Sequence, residues 1–261
     1  MSAARVYVAV EGPHDVELVA VLLGPDGFKR VQHRKDVDGY WDPLIPKTFP
    51  HRDDLLARVP VPTFFRSDQR WIAIHAAGGE TNLVSKVEET LAVLSSPPSA
   101  VGVVLDADSR KSAQERFTSV AEKLEKLGLV KPARPGEVSE TSPRCGVYVL
   151  PDNTSQGTLE DLLLECGAAV YPGLLEAARG YIGGIDCAWP ELAKDDTGAF
   201  EKGAGRNKAT IASMASVLKP GKAIQNSIQD NRWLKDPRAL ALPRVAALRG
   251  FLMKLLELPE S

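Results

Sequence analysis

The sequence predicts an α/β fold: a mostly parallel four-stranded sheet with helices on both faces, followed by a helical C-terminal extension. Three observations carry that expectation. Four short apolar runs rich in β-branched residues recur between residues 5 and 153, and each is followed by a segment of helical periodicity. The runs are apolar throughout rather than alternating, which is the pattern of strands buried on both faces. Strand and helix taken in turn give βα units, and such units build a parallel sheet.

The first run, "RVYVAV", leads into "PHDVELVAVLL", where Pro13 suits a first helical position and Val16, Val19, Ala20 and Leu23 share one face. Residues 33–70 are rich in Pro and charge and poor in periodicity, an excursion from the core. An unstructured loop of that length is unusual and commonly carries a function or a short helix. "WIAIHAAGG" is the second strand, closing on Gly78 and Gly79; the helix after it puts Val84, Val87, Leu91 and Leu94 on one stripe, with Asn82 as its cap. "SAVGVVLDADS" is the most strand-like run. The helix that follows carries Phe117, Val120, Leu124 and Leu127 inward, and Gly128 stops it. "CGVYVLPDN" is the fourth strand, and "TLEDLLLECG" resumes helix. Past residue 168 the strand pattern fades. The expected organisation is therefore residues 1–167 as the α/β domain, with the excursion at 33–70, and residues 168–261 as a mainly helical extension packing on it.

Composition narrows the function. With 261 residues there is chain enough for a large core without staples. Three cysteines at wide spacing support neither a disulfide framework nor a C-x-x-C zinc site, and four histidines show no H-x-x-x-H pair. A metal here would be held by oxygen. No apolar stretch approaches the ~20 residues of a membrane helix, and "MSAARVYVAV" lacks the features of a signal peptide, so a cytoplasmic protein without a membrane partner is expected. The net charge of −2 is unevenly spread: from residue 201 onward eleven Lys and Arg face five Asp and Glu. The acidic part suits cations and the basic part polyanions. No Gly-x-x-x-x-Gly-Lys-Ser/Thr run marks an ATPase.

The strands end in acids. Glu11 closes the first and Asp106 with Asp108 the third, while Asp152 follows the fourth and Glu160 stands one helix start beyond. In open parallel sheets the binding crevice lies outside the carboxyl ends of the strands, and right-handed crossovers bring those ends to one edge. Two carboxylates about 4 Å apart repel by roughly 4 kcal/mol at an effective dielectric near 20, so such a cluster needs a proton, a basic partner or a cation. Hard oxygen ligands favour Mg²⁺ or Mn²⁺.

Glu11-Gly12 after a buried first strand, then Asp106-Ala107-Asp108 closing a later one, resembles the Toprim domain of topoisomerases, primases and related nucleases. The resemblance implies a Toprim-like sheet, a glutamate acting as general acid or base, and an Asp-x-Asp pair holding a divalent metal. It extends to Toprim nucleases of the overcoming-lysogenization-defect (OLD) type. Those pair their glutamate with a second acid four residues on, as Glu11 is paired with Asp15. They carry a Ser-x-Glu after the last core strand, matched by Thr158 and Glu160, and a later lysine, matched by Lys208. The chain differs from them in having Thr158 for serine, no ATPase half and the excursion at 33–70.

Each of these residues also has an ordinary reading. Asp108 and Asp15 suit helix caps, Asp152 an Asx turn, Thr158 and Glu160 a helix start, and Gly78 and Gly79 a strand-to-helix turn. His14 and His75 suit structural roles near the acidic edge, and Trp41 and Trp233 the core rather than a stack on bases. The functional expectation is a Mg²⁺- or Mn²⁺-dependent nuclease: Glu11, Asp15, Asp106, Asp108 and Glu160 on metal, Glu11 and Lys208 catalytic, Asp152 and Thr158 on or near the metal, and Gly78, Gly79 and Arg206 at phosphate. The expected partner is nucleic acid, DNA ahead of RNA, with a separately encoded ATPase and a homodimer as further candidates. The rival expectation is a Toprim-fold effector or adaptor that binds nucleic acid or such an ATPase, in phage defence.

Overall fold

A computed structural model describes residues 3–48, 61–107 and 111–259. The sheet has six strands rather than four: β1 (Ala4–Val10), β2 (Lys29–Arg30), β3 (Thr63–Arg66), β4 (Arg70–Ala76), β5 (Ala100–Asp106) and β6 (Arg144–Leu150), in the order β2-β3-β4-β1-β5-β6. The four expected strands are the parallel part, with β1 between β4 and β5, and β6 beyond β5. Two antiparallel strands extend it past β4, so the sheet is mixed, and the four-stranded expectation is corrected. The added strands escape sequence patterning for a physical reason. β2 has only two residues, and β3 lies inside the Pro-rich excursion. Within β3, Phe64 and Phe65 point to opposite faces and each joins a different core cluster.

Strand residues alternate between the same two clusters. Val6, Val8 and Val10 of β1 face one, Tyr7 and Ala9 the other. Ten helices occur among the described residues: α1 (Pro13–Leu23), α2 (Leu83–Val93), α3 (Ala113–Lys126), α4 (Leu159–Val170), α5 (Pro172–Gly183), α6 (Lys194–Thr197), α7 (Gly205–Leu218), α8 (Ile224–Asp230), α9 (Pro237–Leu240) and α10 (Pro243–Leu256). α1 packs on the first face together with α4, α5, α7, α8, α9 and α10, whereas α2 and α3 cover the second. Part of the excursion is ordered by Trp41, which is fully buried on the second face near Phe64. Residues from Val6 to Leu256 share the first cluster, so the C-terminal segment completes that core. None of the helices among the described residues is long and apolar enough to cross a membrane.

α10 reaches the sheet because two glycines let it. Gly102 and Gly146 are register partners on β5 and β6. A Cβ on Gly102 would lie 2.5 Å from Leu255 Cδ2, and one on Gly146 would lie 2.7 Å from Phe251 Cε2. Leu255 and Phe251 therefore fill the space that two side chains would take. Gly102→Ala should lower stability by ~1–3 kcal/mol, as overpacking does. In urea titrations, Gly102→Ala combined with Leu255→Ala should lose less than the sum of the two single losses, since the second change removes the clashing atoms.

Candidate functional site

β1 and β5 are neighbours, yet the chain leaves β1 for one face and β5 for the other, which opens a crevice at their carboxyl ends. Glu11 stands just past β1, and its Oε1 accepts a hydrogen bond from the backbone N–H of Asp106 at 2.9 Å. Asp106 Oδ1 in turn accepts from Leu159 N–H, the first residue of α4, at 2.8 Å. Asp15 Oδ2 accepts from Gly12 N–H at 2.8 Å, closing the start of α1. Two acids thus cap helix starts, where N–H groups and the helix dipole favour negative charge. Glu160, in the first turn of α4, is 7% exposed, and its Oε2 has no hydrogen-bond partner among the described residues.

Crowding these acids away from water disfavours their ionised forms. Burial pushes the Asp15 carboxyl from 3.8 up to about 7; the charges of Glu11 and Glu160 add to the rise, and the Gly12 N–H opposes it. Asp106 is raised well above the carboxylate range by burial first, then by the charges of Asp15, Glu11 and Glu160.

Cations answer the acids. Arg116 of α3 is 4% exposed; its Nε donates to the Asp106 carbonyl at 2.9 Å, and its guanidinium pairs with Glu80 and lies 3.8 Å from Glu11 Oε1. Lys208 of α7 is exposed and lines two adjoining cavities. The larger, about 420 Å³, is also walled by Glu11, Glu80, Asp106, Arg116, Thr158 and Lys202. The smaller, about 340 Å³, is walled by Glu11, His14, Asp15, Asp106 and Glu160. Burial lowers the His14 pKa, an effect opposed by Glu160, deepened by Lys208 and opposed again by Gln225. α7 is tied to the site by Asn207 Nδ2, which donates to Asp161 Oδ1 at 2.9 Å, while Asp161 Oδ2 accepts from Thr158 N–H at 2.8 Å.

Of the expected site residues, Glu11, Asp15, Asp106, Thr158, Glu160 and Lys208 meet around these cavities. Asp108 lies outside the described residues. The others are placed as follows. Asp152 is engaged elsewhere: its Oδ1 accepts from Thr154 and Ser155, and its Oδ2 pairs with Arg244 at 2.9 Å. Although burial would raise its pKa, the Ser155 and Thr154 hydrogen bonds hold it well below the usual carboxylate range. Gly78 and Gly79, at φ 76° and 122°, make the turn after β4 and line the smaller cavity, and both of their N–H groups donate to the Glu11 carbonyl. Arg206 stacks over Phe200 at 4.5 Å and donates to the Ile182 carbonyl, apart from both cavities. His75 bonds Tyr7 Oη in the core, and Trp41 and Trp233 are wholly buried.

Arg116, Glu80 and the Asp161–Asn207 link escaped sequence reasoning. Arg116 sits ten residues past Asp106 in an amphipathic helix and reads there as one more surface charge. Its only sequence cue is its place, in the first turn of the helix that follows the strand end. Among the described residues, no group of three or more His, Cys, Asp or Glu is arranged to hold a metal ion.

A family model described as "Protein of unknown function (DUF3226)" matches residues 5–252. No curated protein matches the chain. Among solved structures, the chain is similar to the crystal structure of hypothetical protein PH0156 from Pyrococcus horikoshii OT3, at 17% identity and a TM-score of 0.56, over 97% of this chain and 95% of that one. That likeness is one of fold.

The raised Asp15 carboxyl makes a prediction about stability. In metal-free buffer the unfolded chain releases this proton near 3.8 and the folded chain near 7, so the folded state binds more protons between those values. Stability from this group is present in full below that window and is lost as pH rises through it. Urea midpoints should therefore fall between pH 5 and pH 8 in the wild type, and fall less steeply in Asp15→Asn.

Proposed function

Because the chain belongs to the DUF3226 family, its activity has to be read from its own site, and we propose that it is a divalent-metal-dependent nuclease acting on DNA ahead of RNA. One observation carries the reading: Glu11, Asp15, Asp106 and Glu160, drawn from two strand ends and two helix starts, meet beside one cavity with Lys208 on its wall. The resemblance of the Glu11-Gly12 and Asp106-Ala107-Asp108 motifs to Toprim nucleases supports the same chemistry.

Although no three described acids are arranged as a metal site, the donor chemistry is that of hard-cation ligands. The set is all carboxylate oxygen, and one of those oxygens, Glu160 Oε2, is buried without a partner. Asp15, Asp106 and Glu160 would hold the ion; Asp108, expected to join them, lies outside the described residues. Mg²⁺ or Mn²⁺ bound there would supply Lewis-acid polarisation of a phosphoryl oxygen. Glu11, fixed by the Asp106 N–H, manages a proton at the water or the leaving oxygen. Lys208 meets the charge that grows on the phosphate, and being exposed it is open to the approaching strand.

A second reading has its own observation. Arg116 already compensates Glu11 and Glu80, which suits a module that binds without cutting, an effector or adaptor for a separately encoded ATPase. Incubation with supercoiled plasmid, linear DNA and folded RNA in Mg²⁺, Mn²⁺ or chelator separates the two. The nuclease reading expects cleavage that chelator abolishes, that Asp106→Asn and Glu11→Gln reduce to background, and that Lys208→Ala slows by ~100-fold. Identical products from wild type and all variants would defeat it.

A further inference from the structure

α1 carries apolar residues on every side, the pattern of a helix that its fold encloses. From Asp15 to Leu23 each residue is buried except Val21. There the cover is broken by a cavity of about 370 Å³, walled by Ala20 and Val21, by Phe65 of β3, and by Leu234 and Leu240 at α9. It shares no lining residue with the two cavities beside the carboxylates. A mostly apolar pocket of this size, with a few polar groups converging on it, is of the kind that holds a small molecule.

The polar groups on its wall set the chemistry of the occupant. Glu17 is one of them, but both of its carboxylate oxygens accept from Arg30 Nη2, at 2.6 and 2.5 Å. The Arg30 guanidinium is held over the Phe65 ring, 5.1 Å from its centroid. A guanidinium has five N–H groups, and those on Nε and Nη1 of Arg30 donate to no described residue. Lys235 adds an exposed ammonium and Gln229 an amide. The described wall therefore offers donors and positive charge, while its one carboxylate is already claimed.

We propose that this pocket binds a small amphipathic anion, with an apolar ring body against Val21, Phe65 and Leu240 and one acidic group toward Lys235 and Arg30. Burying the body takes apolar surface of both partners out of water, and the acidic group fixes which end faces the cations. The volume, bounded by α1, β3 and α9, suits a single ring system rather than a length of polypeptide. The inference stands apart from the nuclease reading, since it uses none of the residues of that site.

Two fluorescent probes of one shape test it on the full chain: anilinonaphthalene sulfonate, and phenylnaphthylamine, which has the same rings without the acid. The wild type should bind one sulfonate probe per chain, more tightly than the neutral one. Lys235→Glu should weaken the sulfonate probe roughly tenfold at low salt and the neutral probe less than about twofold. Val21→Trp, which fills the cavity, should abolish binding of both, with circular dichroism verifying that each variant is folded. No binding by the wild type, or binding that a folded Val21→Trp leaves unchanged, would overturn the inference. So would equal affinity for the two probes, or a sulfonate affinity that Lys235→Glu does not alter. A wild-type dimer in sedimentation that Val21→Trp dissociates would give the pocket to a second copy of the chain and overturn it as well. If Val21→Trp does not fold, Lys235→Glu and the comparison of probes decide: selective loss of the sulfonate probe supports the inference, and equal behaviour of the two refutes it.

Discussion

The hydrogen bond from the Asp106 backbone N–H to the Glu11 carboxylate joins the ends of two parallel strands at the place where their helices part to opposite faces. Most features of the site follow from the need to keep negative charge at that junction. A carboxylate removed from water has to be met by donors or by a positive charge, or else it takes up a proton. Here three of those answers are used at once. Backbone N–H groups of Gly12, Asp106 and Leu159 are spent on Asp15, Glu11 and Asp106, Arg116 covers the Glu11 side, and protonation is favoured at Asp15 and Asp106. Glu160 Oε2 is left over from this accounting.

The double role of the acids has a structural cost that a purely functional site would lack. Asp106 is both the end of β5 and the anion at the start of α4, so a change there touches the β5–α4 junction as well as the cavity. Asp15 likewise closes the first turn of α1. The ordinary and the functional readings of these residues describe one arrangement. A capping carboxylate that is also buried among other carboxylates is stabilised by the helix start and destabilised by burial and by its neighbours, and burial first, then the neighbours' charges, raise its pKa.

Much of this was legible in the residues. Both-face burial makes a parallel strand apolar at every position, which is why "RVYVAV", "SAVGVVLDADS" and "CGVYVLPDN" stand out, and the 3.6-residue period marks α1 to α4 within a residue or two. The edge strands carry no such mark, because a two-residue strand has no period and β3 is flanked by prolines and charge. At the site, strand order was enough to bring Glu11 and Asp106 together. What stayed hidden depends on tertiary placement of ordinary polar residues. Arg116 becomes special only once α3 is laid beside Glu80, and Asn207 only once α7 reaches Asp161. Asp152 misled for the converse reason: it too follows a strand, but its neighbours Thr154 and Ser155 and the distant Arg244 had already claimed it.

The glycine pair on β5 and β6 has a consequence for how the chain is made. Part of one side of these strands is closed by Phe251 and Leu255, which emerge from the ribosome well over a hundred residues after the β5 strand that Leu255 covers. Until then that apolar surface has no lid, and closing it requires contacts of very long sequence separation, the kind that form late. A nascent chain in this state presents that patch of sheet to chaperones and to other copies of itself, so it stays open to aggregation until α10 has been made.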